Sequence, residues 1–109
     1  MNSIQDLTRA LIAFRDERDW KQFHNPKDLA VALNVESSEL LELFLWKNAS
    51  EEDVQMVAEE LADVFAYAFM LAHHYKLDVH EILDRKIKKN AAKYPVEKAK
   101  GRATKYSDL

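Results

Sequence analysis

The stretch VESSELLELFLW, Val35 to Trp46, decides the fold. On a helical wheel turning about 100° per residue, Leu29, Leu33, Leu40 and Leu43 share one stripe. The same stripe carries acid. Glu36 falls in its middle, Glu39 lies at its edge beside Ala32, and Glu42 sits farther round. An ionised carboxylate on an apolar face either finds a counter-charge or gives up its ionisation, so these glutamates need a reason.

Asn25 before Pro26 places a cap ahead of a proline at the first helical position, and predicts that this helix runs from Pro26 to about Lys47. Upstream, Ser3 with Asp6 predicts a capped helix carrying Ile4, Leu7, Leu11 and Phe14 to about Asp19, where WKQFHNPKD interrupts it. Ser50 with Asp53 repeats the capping pattern for a third helix, roughly Glu51 to Tyr75. Asp78 with Glu81 starts a fourth, which Pro95 stops near Tyr94. Beyond it, VEKAKGRATKYSDL has no apolar period. The expected fold is all-α: a four-helix bundle-like protomer over residues 1–94, followed by an irregular C-terminal tail over 95–109.

Composition agrees. One glycine and two prolines in 109 residues leave little material for hairpins or Gly-rich phosphate loops, and 48% hydrophobic content supports one small domain. With no cysteine there is neither a disulfide framework nor a thiolate metal site. MNSIQDLTRA lacks a basic segment followed by an apolar run, so no signal peptide is expected. The longest apolar run, Leu61 to Ala72, contains Asp63 and falls short of the ~20 residues of a membrane span. A cytoplasmic protein without membrane association is expected.

The net charge of −3 hides two opposed blocks. Nine acids and one base, Lys47, lie between Glu36 and Asp63, whereas nine bases and one acid, Glu97, lie between Arg85 and Lys105. A basic end suggests nucleic acid, but the acidic remainder would repel a phosphate backbone, and no polymeric nucleic acid is expected as a partner. In the third helix Asp63 is the only charge from Leu61 to Ala72, and Glu60 lies one turn before it on the side of Met56 and Tyr67. No Lys or Arg stands three or four residues from Glu36, Glu39, Glu60 or Asp63. Two helices, each presenting a pair of carboxylates one turn apart, can direct four acids into one gap. That all-oxygen set suits Mg²⁺ or Mn²⁺ better than zinc. A di-iron carboxylate bundle requires Glu-x-x-His pairs, and none of His24, His73, His74 and His80 has a glutamate three residues before it.

ESSE followed by EELAD fits the E-x-x-E … E-x-x-D pattern, and here the chain resembles the all-α MazG-like nucleoside triphosphate pyrophosphohydrolases. Their usual form is EExxE, and Val35 stands where its first glutamate would be. That variation is similar to the dCTP pyrophosphatase branch, as are RDWKQFHNP, LLELFLWK, EELADVFAY, KNAAKYP and the closing KYSDL. The resemblance spans about Asp6 to Leu109.

The resemblance implies a helical homodimer or homotetramer that cleaves a deoxynucleoside triphosphate, dCTP or a modified dCTP, between the α- and β-phosphates, in nucleotide-pool sanitation. It implies that Glu36, Glu39, Glu60 and Asp63 hold Mg²⁺ and form the catalytic centre, with Glu42 and Glu59 either behind them or exposed. It also implies phosphate contacts from Lys86, Lys89, Asn90, Lys93 and Tyr94, with Lys105 and Tyr106 in a tail that folds over the site. For the base, Trp20, Phe23, His24, Trp46 and Tyr67 offer aromatic walls and polar tips. Leu11 falls where some dCTP-type enzymes carry a histidine, which leaves the base preference open. His73 and His74 fit a polar helix end, and Met56 and Met70 a core or subunit interface. The alternative function is a non-catalytic helical module that binds nucleotide or protein, which would have no use for four inward carboxylates.

Overall fold

The computed structural model describes residues 3–45 and 53–109. Among them every regular element is helical: α1 (Ile4–Glu17), α2 (Pro26–Glu42), α3 (Val54–His74), α4 (Val79–Lys93) and α5 (Val96–Ala99), with 3-10 turns at Lys21–Phe23 and Tyr106–Asp108. None of these helices is long and apolar enough to cross a membrane. The chain divides into two compact units, residues 1–77 and 78–109.

In the first unit the helix starts follow local chemistry. Ser3 Oγ accepts from the Asp6 amide at 3.0 Å, and Asn25 Oδ1 from the Asp28 amide at 2.8 Å with Pro26 opening α2. α1 stops two residues before the expected Asp19. The Arg18 amide turns back to Arg15, and Asp19 takes a left-handed φ of 55°, a conformation aspartate tolerates better than most residues. α2 is also shorter than expected. It ends at Glu42, after which the Phe44 and Leu45 amides bond three residues back in the tighter 3-10 manner that closes many helix ends. Trp46, Lys47, the expected Ser50 cap and the expected start near Glu51 lie outside the described residues, and the described part of α3 runs from Val54 to His74.

α3 packs mainly on α2 and more lightly on α1. Burial follows the α2 wheel. Leu29 is 2% exposed, Ala32, Leu33, Leu40 and Leu43 are half-buried, and Val31, Val35 and Leu41 point outward. Glu36 and Glu39 share the half-buried side, whereas Glu42 is exposed. Leu29, Met70 and Ala72 are the only buried apolar residues among those described, and Met56, expected in a core or interface, is 51% exposed. Between α1 and α3 lies an apolar groove of about 660 Å³, walled by Leu7, Leu11 and Phe14 on one side and Phe65, Ala66 and Phe69 on the other.

In the second unit Asp78 Oδ1 caps α4 through the Glu81 amide at 3.2 Å, and α4 ends at Lys93, ahead of Pro95. The tail is not irregular throughout. Val96–Ala99 forms one helical turn, which Pro95 can open because it needs no amide donor, and Tyr106–Asp108 forms a 3-10 turn. The reason for this order is aromatic rather than periodic. The Tyr106 ring meets Tyr94 edge-on at 6.0 Å, and Lys93 Nζ lies 4.7 Å from the Tyr106 ring centre.

Candidate functional site

The α2 and α3 faces bring the acids together. One carboxylate oxygen each from Glu36, Glu60 and Asp63 lies within 4.8 Å of the others. Glu39, one turn after Glu36, is half-buried on the same side and acts electrostatically on both Glu36 and Glu60. Crowded carboxylates without a cation favour the protonated form of those that are least solvated. Burial, then Glu39 and the charges of Asp63 and Glu60, push the Glu36 carboxyl up to about 7. Burial, then the charge of Glu39, raise Glu60 in the same direction.

The cluster also leaves bonding capacity unused. Glu36 Oε2 and Glu60 Oε2 are both buried without a hydrogen-bond partner, an arrangement that native interiors rarely tolerate unless a ligand completes it. Unpartnered, mutually repelling carboxylate oxygens on rigid helices fit a hard divalent cation, which takes oxygen donors and neutralises them. Glu59 and Glu42 are exposed and stand outside this set.

One turn beyond Asp63, half-buried Tyr67 meets His24 edge-on, with ring centres 6.5 Å apart. Burial, then the charges of Glu36, Asp63 and Glu39, raise the Tyr67 hydroxyl above its ordinary range, so it stays a donor at neutral pH. Burial and then the charge of Arg15 lower His24, which keeps its imidazole neutral, and its Nδ1 is buried without a partner. Arg15 carried no sequence signal. Its side chain is nevertheless only 11% exposed and holds Asp16 Oδ1 through Nε and Nη2 at 2.9 and 2.8 Å. Trp20 meets Phe14 edge-on at 5.8 Å, and Phe23 is largely exposed. Trp46 lies outside the described residues.

The basic candidates belong to the second unit. Arg85 pairs with Glu81 at 2.6 Å and Lys88 with Asp84 at 3.0 Å, each one turn back on α4. Lys86 and Lys89 make no ion pair among the described residues and are exposed together with Asn90. Lys93, Tyr94 and Tyr106 engage one another, and Lys105 is exposed beside Tyr106.

Fold and cluster together define an all-helical protein in which two facing helices offer a carboxylate set suited to a divalent cation. The model of the MazG-like family matches residues 31–109. The chain is 38% identical to dCTP pyrophosphatase 1 of Mus musculus over 115 residues, covering 98% of this chain and 68% of that protein. Its Homo sapiens counterpart is 36% identical with the same coverage. A crystal structure of a pyrophosphatase from Archaeoglobus fulgidus matches with a TM-score of 0.75 and 37% identity, over 87% of this chain and 94% of that one. The chain belongs to the MazG-like family.

Proposed function

We propose that the protein hydrolyses a deoxynucleoside triphosphate, dCTP or a modified dCTP, to the monophosphate and pyrophosphate, and so clears it from the nucleotide pool. The observation that carries this reading is the convergence of Glu36, Glu60 and Asp63 oxygens within 4.8 Å, with two buried oxygens unpartnered. A non-catalytic helical module would bear the cost of that repulsion for nothing.

Glu36, Glu39, Glu60 and Asp63 would hold Mg²⁺, or Mn²⁺ in its place. The chemistry such an ion supplies when bound is Lewis-acid polarisation of phosphoryl oxygens and acidification of water. Glu39, half-buried one turn after Glu36, adds a further negative charge beside Glu36 and Glu60 for the ion to neutralise. The neutral His24 and the protonated Tyr67 offer a polar edge for the base, and Trp20 and Trp46 offer stacking surfaces. α4 presents phosphate donors of its own: Lys86 and Lys89 as point charges without an ion pair among the described residues, and Asn90 as an amide donor. The α1–α3 groove, with Phe65 51% exposed on its wall, is covered by a second copy in a homodimer or a pair of dimers.

The test is pyrophosphate release from a panel of dNTPs with Mg²⁺, with Mn²⁺ and with EDTA. Release with one of the ions, abolished by EDTA and fastest for a cytosine nucleotide, is the expected result. Nucleotide binding without release under every condition returns the protein to the binding-module class.

A further inference from the structure

We propose that Phe14 and Arg18 are positioning residues for the nucleobase, a brace that fixes the plane of the Trp20 indole before substrate arrives. The inference rests on the reading above, in which Trp20 stacks on the base.

Three observations place the brace. The Arg18 guanidinium carbon lies 3.6 Å above the Phe14 ring centre, and Arg18 Nη1 donates to the Phe14 carbonyl at 2.9 Å, so the cation is held on the ring from two sides. Phe14 in turn meets Trp20 with ring centres 5.8 Å apart and planes at 73°, an edge-on arrangement favoured by the ring quadrupoles. The third is the backbone. The Trp20 amide donates to the Arg15 carbonyl at 3.1 Å across the left-handed Asp19, and Gln22 Nε2 locks that turn by donating to the Asp19 carbonyl and to Oδ2 at 2.9 and 3.2 Å.

The indole so held is not buried. Trp20 remains 44% exposed, which is more than a tryptophan serving only as core would keep. A freely rotating indole loses rotamer freedom when a ligand stacks on it, and one already fixed does not. Arg18 and Phe14 therefore act on binding through Trp20 and touch no reacting atom. Their loss moves KM and leaves kcat in place.

The experiment measures pyrophosphate release from dCTP with Mg²⁺ in Phe14→Leu, Arg18→Met, Phe14→Tyr, Trp20→Ala and the double variant Phe14→Leu/Trp20→Ala. Phe14→Leu and Arg18→Met are expected to raise KM about three- to ten-fold with kcat within about two-fold, and Phe14→Tyr, which keeps the ring, to restore KM. In the Trp20→Ala background Phe14→Leu should add nothing, because nothing remains to brace. Phe14 also walls the α1–α3 groove, so Arg18→Met, at a partly exposed position, carries the test if Phe14→Leu folds poorly. Unchanged KM in Phe14→Leu and Arg18→Met, while Trp20→Ala raises it, overturns the brace and leaves stacking intact. Unchanged KM in Trp20→Ala removes the stacking role and the brace with it. A fall in kcat at constant KM in both brace variants makes the pair structural and overturns the proposal.

Discussion

Glu36 on α2 and Glu60 on α3 each bury Oε2 without a hydrogen-bond partner, while the charge of Glu39 acts on both carboxyls. The two helices therefore meet across a set of acids in which Glu36, Glu39 and Glu60 are half-buried and Asp63 exposed, with no ion pair to a base among the described residues. In the metal-free protein the least costly state of such a set is partly protonated.

A pH dependence of opposite sign to ordinary acid denaturation follows. Glu36 is raised from 4.5 to about 7 in the folded state, so between those values the native protein holds a proton that the unfolded chain has released. The contribution of Glu36 to stability is full below about 4.5 and is lost as pH rises through about 7. In EDTA the melting temperature is expected to fall over this window, and Glu36→Gln should flatten the fall. Added Mg²⁺ should stabilise more at pH 8 than at pH 5, because cation and proton compete for the same oxygens. A Glu36→Gln protein with an unaltered pH profile in EDTA would remove the shift.

Substitution should separate function from stability. Glu36→Gln and Asp63→Asn are expected to lower turnover at least about 100-fold, since each removes a charge from the proposed ion-binding set. The same changes relieve repulsion, so metal-free melting temperatures should equal or exceed wild type. Circular dichroism melts beside pyrophosphate assays check both. Full activity in either variant would take that carboxylate out of the site.

The acids of α2 were legible because an α-helix repeats: Glu36 had to share the side of Leu29, Leu33 and Leu40 once the wheel was drawn, and Glu36 and Glu39 are half-buried there, whereas Asp63 of α3 is exposed. Caps were legible for the same local reason, as Ser3, Asn25 and Asp78 each bond to the amide three residues on. The ends of α1 and α2 were not, since a left-handed aspartate and a 3-10 closure leave no glycine or proline to mark them. The action of Arg15 on His24 and the contact of Phe14 with Trp20 were not legible because both cross a turn whose direction sequence spacing does not reveal, whereas Arg18 over Phe14 is a four-residue helical spacing that was open to reading. The ordered part of the tail was hidden differently. Its anchor is one tyrosine on another twelve residues earlier, a contact with no period.

Association should be obligatory. With Leu29, Met70 and Ala72 the only buried apolar residues among those described and Phe65 on the wall of an open apolar groove, the protomer leaves more apolar surface than a stable monomer normally shows. Sedimentation at micromolar concentration is expected to give a dimer or larger, and Phe65→Glu to shift it toward monomer with a lower melting temperature. A wild-type monomer of full helicity would exclude this use of the groove.

The tail contact gives the last prediction. Without an apolar period, residues 96–109 are expected from sequence to come away at little cost, but Tyr106 packs against Tyr94 and beside Lys93 at the end of α4. Truncation after Pro95 should therefore loosen the last turn of α4, where the Tyr94 amide bonds to the Asn90 carbonyl at 2.8 Å. Amide exchange at Tyr94 should quicken in the truncated protein and in Tyr106→Ala, and less in Tyr106→Phe, which keeps the ring. A double-mutant cycle between Tyr94 and Tyr106 should return a coupling of about 0.5–1.5 kcal/mol. If Lys105 and Tyr106 also close over the triphosphate, Tyr106→Phe should depress kcat/KM more than it alters exchange, because the hydroxyl then serves substrate while the ring serves the fold. Equal and small effects of Tyr106→Phe on both would confine Tyr106 to holding the tail, and unchanged exchange in Tyr106→Ala would free the tail from α4 altogether.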